Sequence, residues 1–189
     1  MNAWNRAIDF FSSTQRPDGA WAPLWFGTQH ESEELNLTYG TSRVLRALIE
    51  AGRFRVQAAP RFPQVSEMHL SFMMQTKADR WLLSAQRSDG GWGGGICSPA
   101  SVEETALALD TLAMYLDDAN PRSGGTDYGP SIAGALEWLL AHVESGEWIQ
   151  PSPIGFYFAK LWYCERLYPI IFTVGALNRV EHVLRGGSP

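Results

Sequence analysis

The sequence predicts an all-α protein, a partial α/α barrel (an α/α toroid) built from helix-pair repeats, and three observations support this prediction. Apolar residues recur at helical spacing along most of the chain. A Gln-Gly-Trp pattern occurs twice at one constant offset, and a degenerate third copy follows it. Stacked helix pairs must bury their apolar faces against neighbouring pairs, so three pairs would form only part of a closed ring. We treat residues 1–189 as one domain.

The repeat is clearest between Ala7–Trp21 and Ala78–Trp92. The matched positions pair Gln15 with Gln86, Gly19 with Gly90, and Trp21 with Trp92. The third copy, Ala135–Trp148, ends in Trp148 but is shorter by one residue and has no glutamine at the matching place.

Each copy is predicted to be a helix followed by a turn and a second helix. In the second copy Ala78, Trp81, Leu82 and Ala85 share one helical face, and Arg-Ser-Asp-Gly-Gly supplies the turn.

The second helix of each pair is predicted from its own signals. After the first copy, Val44, Leu45, Leu48 and Ile49 line a face, and Gly52 is expected to end the helix. After the second copy, an apolar face follows Ser101 and Glu104, which are spaced as a capping box.

The rest of the chain is predicted as two long linkers and a closing segment. Segments 53–64 and 117–130 are expected to be irregular. A long aromatic stretch then leads to a last apolar helix, Ile170–Leu177.

Composition excludes several classes of protein. The net charge of -5, with acids and bases interspersed, excludes a basic nucleic-acid-binding surface. Two cysteines form no disulfide framework, so a reducing cytoplasm is expected. We expect neither a signal peptide nor a membrane-spanning helix. The histidines are far apart, no phosphate- or dinucleotide-binding motif occurs, and neither a metal nor a cofactor is expected.

The Gln-x3-Gly-x-Trp pattern after an amphipathic helix resembles the QW motif of the triterpene cyclases. The resemblance covers nearly the whole chain and matches the C-terminal part of a squalene-hopene cyclase. Trp25 and Tyr39-Gly40-Thr41 follow the first motif as they do in that family, and the segment 153–177 resembles its closing aromatic stretch. The segment 27–37 departs from the family because it is longer and rich in glutamate.

The resemblance implies two sets of site residues. A structural set ties helix pairs together against an exothermic cyclisation and contains no catalytic residue: Gln15, Gly19, Trp21, Gln86, Gly90, Trp92 and Trp148. A second set is expected to line the substrate cavity, although the register of 152–163 can slide by one residue: Trp25, Tyr39, Phe156, Tyr157, Trp162 and Tyr163. Aromatic rings at helical spacing also fit an ordinary core.

The family protonates an alkene with an Asp-x-Asp-Asp acid, and this sequence has none. Asp117-Asp118 is interpreted as a solvated helix end. The chain is therefore expected to be the C-terminal region of a cyclase acting on squalene or a related polyprenyl substrate, inactive alone. The acid-bearing part and a second domain are expected to be absent from it. For the whole enzyme, the resemblance implies a homodimer on the inner face of a membrane.

Two other functions remain open at this point. Exposed Trp and Tyr residues also suit a non-catalytic α/α repeat module that binds a lipid or a sugar. A protein prenyltransferase subunit would need a zinc site of Asp, Cys and His, and we cannot assemble one from this sequence. An in-frame Asp-x-Asp-Asp encoded upstream would favour the cyclase.

Overall fold

A computed structural model describes residues 3–58, 65–116, 126–150, 153–156 and 160–186, the side chains of 55–58 and 65–67 excepted. Helices dominate it, which confirms the predicted class. The six α-helices are α1 (Ala3–Thr14), α2 (Leu37–Ala58), α3 (Val65–Ala85), α4 (Val102–Ala113), α5 (Gly129–Glu144) and α6 (Tyr168–Leu184). Short 3-10 helices span Met114–Leu116 and Glu147–Ile149.

A small antiparallel sheet, which the sequence did not predict, joins two distant parts of the chain. Its strands are β1 (Phe26–Gly27), β2 (Ile154–Phe156) and β3 (Leu161–Tyr163), in the order β1-β2-β3. Each strand has only two or three residues, which is too short for an alternating pattern to be recognised. The aromatic stretch therefore includes two strands, β2 and β3, which differ from the helical spacing that the sequence suggests for its rings.

The predicted helix boundaries need correction in three places. The last helix runs from Tyr168 to Leu184, and so is longer at both ends than the predicted Ile170–Leu177. Gly52 does not end α2, which continues to Ala58. A Cβ added at Gly52 would meet nothing within 4 Å and its φ is not positive, so this glycine lacks the left-handed conformation of a helix-ending residue. Pro130 lies in the first turn of α5, because proline is well tolerated there.

The turns that follow α1 and α3 have the same conformation. Gly19 has a φ of 101° and Gly90 a φ of 96°, which is the region that favours glycine. A Cβ at Gly19 would lie 2.4 Å from the carbonyl oxygen of Lys77, and one at Gly90 would lie 2.5 Å from that of Gly134. Each turn therefore packs directly on the backbone of another helix, and a side chain at either glycine would prevent this contact.

The two glutamines join these turns to neighbouring helices. Gln15 Nε2 donates to the carbonyl oxygens of Gly19 and Met74, both at 2.9 Å. Gln86 Nε2 donates to those of Gly90 and Ser131, again at 2.9 Å. Gln15 thus connects the first turn to α3, and Gln86 connects the second turn to α5.

The two tryptophans complete the same arrangement. The indole N–H of Trp21 donates to the carbonyl of Phe11 at 2.9 Å, and that of Trp92 donates to the carbonyl of Leu82 at 2.8 Å. Their backbone N–H groups donate to the hydroxyls of Thr41 at 3.0 Å and Thr105 at 2.9 Å. Each tryptophan therefore fixes the end of one helix to the first turn of the next. Trp148, in the degenerate copy, is half-buried against the core.

Helix α4 lies at the centre of the molecule. All twelve of its residues are buried, and it packs against α2, α5 and α6. Its Asp110 carboxylate accepts from the guanidinium groups of Arg46 on α2 and Arg179 on α6. This pair of charged hydrogen bonds links three helices through one buried side chain.

We expect Gln86→Glu to lower the free energy of unfolding by about 3 kcal/mol, because it replaces a shared donor with an acceptor that faces two carbonyl oxygens. Urea denaturation measures the change, and Gln29→Glu, at an exposed position, is the control. Equal stabilities of the two variants would contradict the bridging role of Gln86.

We expect Asp110→Asn to lower the free energy of unfolding by about 2–4 kcal/mol, because two guanidinium groups lose their carboxylate. The same denaturation measurement on Glu50→Gln, which removes the half-exposed partner of Arg46, should show less than about 1 kcal/mol. A reversed order of the two effects would argue against Asp110 as the link between α2, α4 and α6.

Candidate aromatic site

Aromatic rings gather where the small sheet meets the first turns of α2 and α6. Phe26 and Phe156 are cross-strand partners, so their side chains share one face of the sheet. The ring of Trp25 lies 5.8 Å from that of Phe156, edge to face, and the ring of Tyr163 lies 6.1 Å from it. These centroid separations are those of interacting aromatic pairs.

Phe26 connects the sheet to two helices. Its ring centroid lies 4.6 Å from that of Tyr39 in α2 and 6.5 Å from that of Tyr168 in α6. Tyr168 continues the series to Phe172 at 5.1 Å. We call this set the aromatic cluster: Trp25, Phe26, Tyr39, Phe156, Tyr163, Tyr168 and Phe172.

The structure brings together four of the six predicted cavity residues: Trp25, Tyr39, Phe156 and Tyr163. Trp162 pairs with Gly155 and lies between Leu161 and Tyr163 in β3. Since successive side chains of a strand point to opposite faces, Trp162 faces away from the cluster. Tyr157 lies outside the described residues.

Sequence analysis missed Phe26, Tyr168 and Phe172 as members of this site. Two signals were available, since Phe26 follows Trp25 directly and Tyr168 precedes Pro169 at the start of a helix. Neither signal shows that the segment 26–27 pairs with 154–156, and this pairing is what assembles the cluster.

The cluster is open on the side of Trp25 and Tyr163. Trp25 is 53% exposed and Tyr163 is 36% exposed. Apolar side chains near them in sequence are also exposed: Leu24, Leu161, Leu167, Ile170, Ile171 and Val174. An apolar surface of this kind is typical of a contact with a ligand, another protein segment or a membrane.

Tyr39 carries a hydroxyl group that is partly buried among the rings of the cluster. Burial raises the pKa of Tyr39 above its ordinary value of 10.0; nearby Arg43 lowers it, while Tyr168 and Tyr163 raise it. The Tyr39 hydroxyl is therefore neutral at physiological pH and can donate a hydrogen bond.

The glutamates of segment 27–37 hold loops together. Glu31 accepts from the Cys97 N–H at 2.9 Å and from the Ser98 hydroxyl at 2.8 Å. Glu33 pairs with Arg16 at 3.1 Å, and Glu34 pairs with Lys160. These carboxylates are engaged in structural contacts, which argues against any of them as an alkene-protonating acid.

A cavity of about 320 Å³ lies beside the segment that follows β1. His142 lines this cavity and stacks on Trp138, with their ring centroids 3.5 Å apart. The Nε2 atom of His142 lies 3.3 Å from Oε2 of Glu147. No ring of the aromatic cluster is among the residues that line this cavity, so we keep the two sites separate.

Over the residues that the structure describes, no group of three or more His, Cys, Asp or Glu side chains could hold a metal ion. None of the helices that the structure describes is long and apolar enough to cross a membrane.

Comparison with known proteins gives one consistent result. The family model of the squalene-hopene cyclase C-terminal domain matches residues 1–182. The chain is 28% identical to the squalene–hopene cyclase of Bradyrhizobium diazoefficiens, over 96% of this chain and 24% of that protein. It is 27% identical to the squalene–hopene cyclase of Zymomonas mobilis, over 97% of this chain and 25% of that protein.

A further relative is named as a diterpene cyclase. A type B diterpene cyclase of Mycobacterium tuberculosis is 32% identical over 53% of this chain and 18% of that protein. The chain thus spans about a quarter of the length of the squalene–hopene cyclases that it matches.

Phe26→Ala should lower the pKa of Tyr39 toward 10.0, because the phenolate would regain the water that burial now excludes. Absorbance titration of the tyrosines, with Tyr39→Phe to identify the transition, measures the change. Phe10→Ala removes an exposed ring of α1 and should leave the transition in place. An unchanged midpoint in Phe26→Ala would show that Phe26 does not shield the hydroxyl.

Proposed function

The chain belongs to the squalene-hopene cyclase C-terminal domain family, whose fold is an α/α toroid, and we propose that it supplies an aromatic wall of a terpene cyclase cavity. The observation that carries this proposal is the aromatic cluster, in which six rings from two helices and a sheet meet Trp25 from the segment before β1. Exposed apolar side chains are near the cluster in sequence. Relatives that carry this domain are named as squalene–hopene and diterpene cyclases.

The proposed reaction begins with protonation of a terminal alkene in squalene or another linear polyprenyl substrate. The proton forms a C–H bond and leaves a carbocation, which the electrons of the next alkene attack to close a ring. The last cation loses a proton or captures water. Because this sequence has no Asp-x-Asp-Asp, we assign the acid to a part of the whole protein outside this chain, and expect the chain to be inactive alone.

The aromatic cluster would stabilise these cations. The face of an aromatic ring carries partial negative charge, and a desolvated cation–π contact is worth about 2 kcal/mol. A contact that forms only in the transition state therefore raises the rate by about 30-fold. Packed rings also exclude water, which would otherwise capture the cation early. Trp25, Tyr39, Phe156 and Tyr163 are our candidates, joined by Phe26, Tyr168 and Phe172; Tyr157 and Trp162 stay predictions.

The two glutamine–tryptophan turns would keep this wall rigid. Gln15, Gly19 and Trp21 link α1, α2 and α3, and Gln86, Gly90 and Trp92 repeat the arrangement for α3, α4 and α5. Trp148 is the counterpart in the degenerate copy. We assign the glutamines, Trp21 and Trp92 a bracing role because their side-chain N–H groups donate to backbone carbonyls. The glycines and Trp148 are assigned to the same set by their positions in the repeat.

The whole protein would take a water-insoluble substrate from a membrane leaflet. The exposed apolar side chains beside the aromatic cluster are compatible with a peripheral contact of this kind. A homodimer on the inner face of the cytoplasmic membrane is the arrangement that the family resemblance implies.

We expect Phe156→Leu to reduce cyclisation by the whole protein by about 10–30-fold, because it removes a π face while keeping an apolar side chain. Squalene and a linear C20 polyprenyl diphosphate serve as substrates, and cyclic products are quantified in lipid extracts. Phe156→Tyr keeps the ring and should retain activity.

The matched control is Phe10→Leu, at an exposed ring of α1 that is not in the cluster. Equal rates for Phe10→Leu and Phe156→Leu would contradict the proposed wall. Saturable substrate binding without any cyclic product would favour the non-catalytic binding module instead.

A further inference from the structure

Two buried side chains connect the first turns of α2 and α4. Asn36 is 1% exposed and Glu104 is 2% exposed. The Asn36 Nδ2 group donates to Glu104 Oε1 at 2.7 Å, and Asn36 Oδ1 accepts from the backbone N–H of Tyr39 at 2.9 Å. The Asn36 amide thus donates to the Glu104 carboxylate with its nitrogen and accepts from Tyr39 with its oxygen.

Asn36 caps α2 at its N-terminus. Helix α2 begins at Leu37, so Tyr39 is its third residue, and its N–H has no partner inside the helix. The neighbouring Thr38 N–H donates to the Gly94 carbonyl at 3.1 Å. The start of α2 is therefore fixed to the segment after the second turn. The cap holds the backbone of Tyr39 in place and so sets the position from which its side chain extends.

Glu104 does not need to return to the Ser101 N–H, because the first turn of α4 is satisfied in another way. The Ser101 hydroxyl accepts from the Glu104 N–H at 3.2 Å, as in the predicted capping box. In a complete capping box the glutamate would return to the Ser101 N–H. That N–H instead donates to the Trp92 carbonyl at 2.9 Å. Glu104 can therefore bind Asn36 without leaving Ser101 unsatisfied.

The chemistry of the three groups specifies asparagine at position 36. The Glu104 carboxylate only accepts hydrogen bonds when ionised, and the Tyr39 backbone N–H only donates. The residue between them must donate on one side and accept on the other, which an asparagine amide does. An aspartate would keep the cap but would place two carboxylates in contact.

We propose that Asn36 and Glu104 are positioning residues for Tyr39, with Glu104 orienting the Asn36 amide so that it holds the first turn of α2 against the fully buried α4. This inference rests on the proposed function for the role of Tyr39. The contact restrains the first turn of α2 relative to α4, and with it the Tyr39 ring, whose centroid lies 4.6 Å from that of Phe26.

A reciprocal exchange of donor and acceptor tests the pair. Asn36→Asp should speed hydrogen–deuterium exchange of the Tyr39 amide by about tenfold or more, since it sets two buried carboxylates against each other. Glu104→Gln keeps an acceptor for Asn36 and should change the exchange by less than about threefold. In the double variant, glutamine donates to aspartate, and exchange should return to within about threefold of wild type.

The measurement is residue-resolved exchange by mass spectrometry on the natural protein. The matched control is Asn178→Asp, the same substitution at an exposed position of α6, which should leave the Tyr39 amide unchanged. A double variant that exchanges as fast as Asn36→Asp would overturn the proposal. If Asn36→Asp does not fold, recovery of folding in the double variant supports the pair, and failure of both variants contradicts it.

Kinetics separate this inference from the proposed function. If the protein is a cyclase, kcat should follow the same order as exchange, lowest in Asn36→Asp and restored in the double variant, while KM stays nearly constant. If the double variant restores slow exchange but the protein cyclises no polyprenyl substrate, the Asn36–Glu104 pair is supported and the proposed function is contradicted. Normal cyclisation in Asn36→Asp would remove the positioning role alone.

Discussion

The burial of every residue of α4 is the constraint on which the rest of this structure depends. A helix that is buried on every side must satisfy most of its polar side chains with groups from its neighbours. The Asp110 carboxylate accepts hydrogen bonds from Arg46 and Arg179, and the Thr105 hydroxyl accepts one from the backbone N–H of Trp92. Each of these contacts also connects α4 to another element, so the polar residues of the central helix organise the helices around it.

The aromatic cluster takes its position from this organisation. Tyr39 belongs to a helix that is capped by Asn36 and packed on α4, while Tyr168 and Phe172 belong to α6, which packs along α4 as well. The strands add the remaining rings by pairing Phe26 with Phe156. A cavity wall for carbocations needs rings that do not rearrange when charge develops, and rings on braced helices meet that need.

The repeats and the helices could be predicted from the sequence because their signals are local. Gln15 and Trp21 recur as Gln86 and Trp92, and the structure gives both sets equivalent hydrogen bonds. The sheet could not be predicted, because β1 pairs with residues more than a hundred positions away in β2. Strands β2 and β3 are close in sequence, but three residues each are too few for an alternating pattern to be recognised. Phe26 and Tyr168 were missed because only the pairing of β1 with β2 brings them to the other rings. Trp162 lies next to Tyr163 in sequence, but the two side chains point to opposite faces of β3.

The proposed function depends on protonation of an alkene, and the isotope content of the product reports on this step. The whole protein would be incubated with squalene or a linear C20 polyprenyl diphosphate in D2O, and the cyclic product analysed by mass spectrometry. We expect one carbon-bound deuterium in each product molecule, because the acid exchanges its proton with solvent before transferring it to the alkene. A cyclic product without deuterium, or no cyclic product from either substrate, would contradict the proposed function.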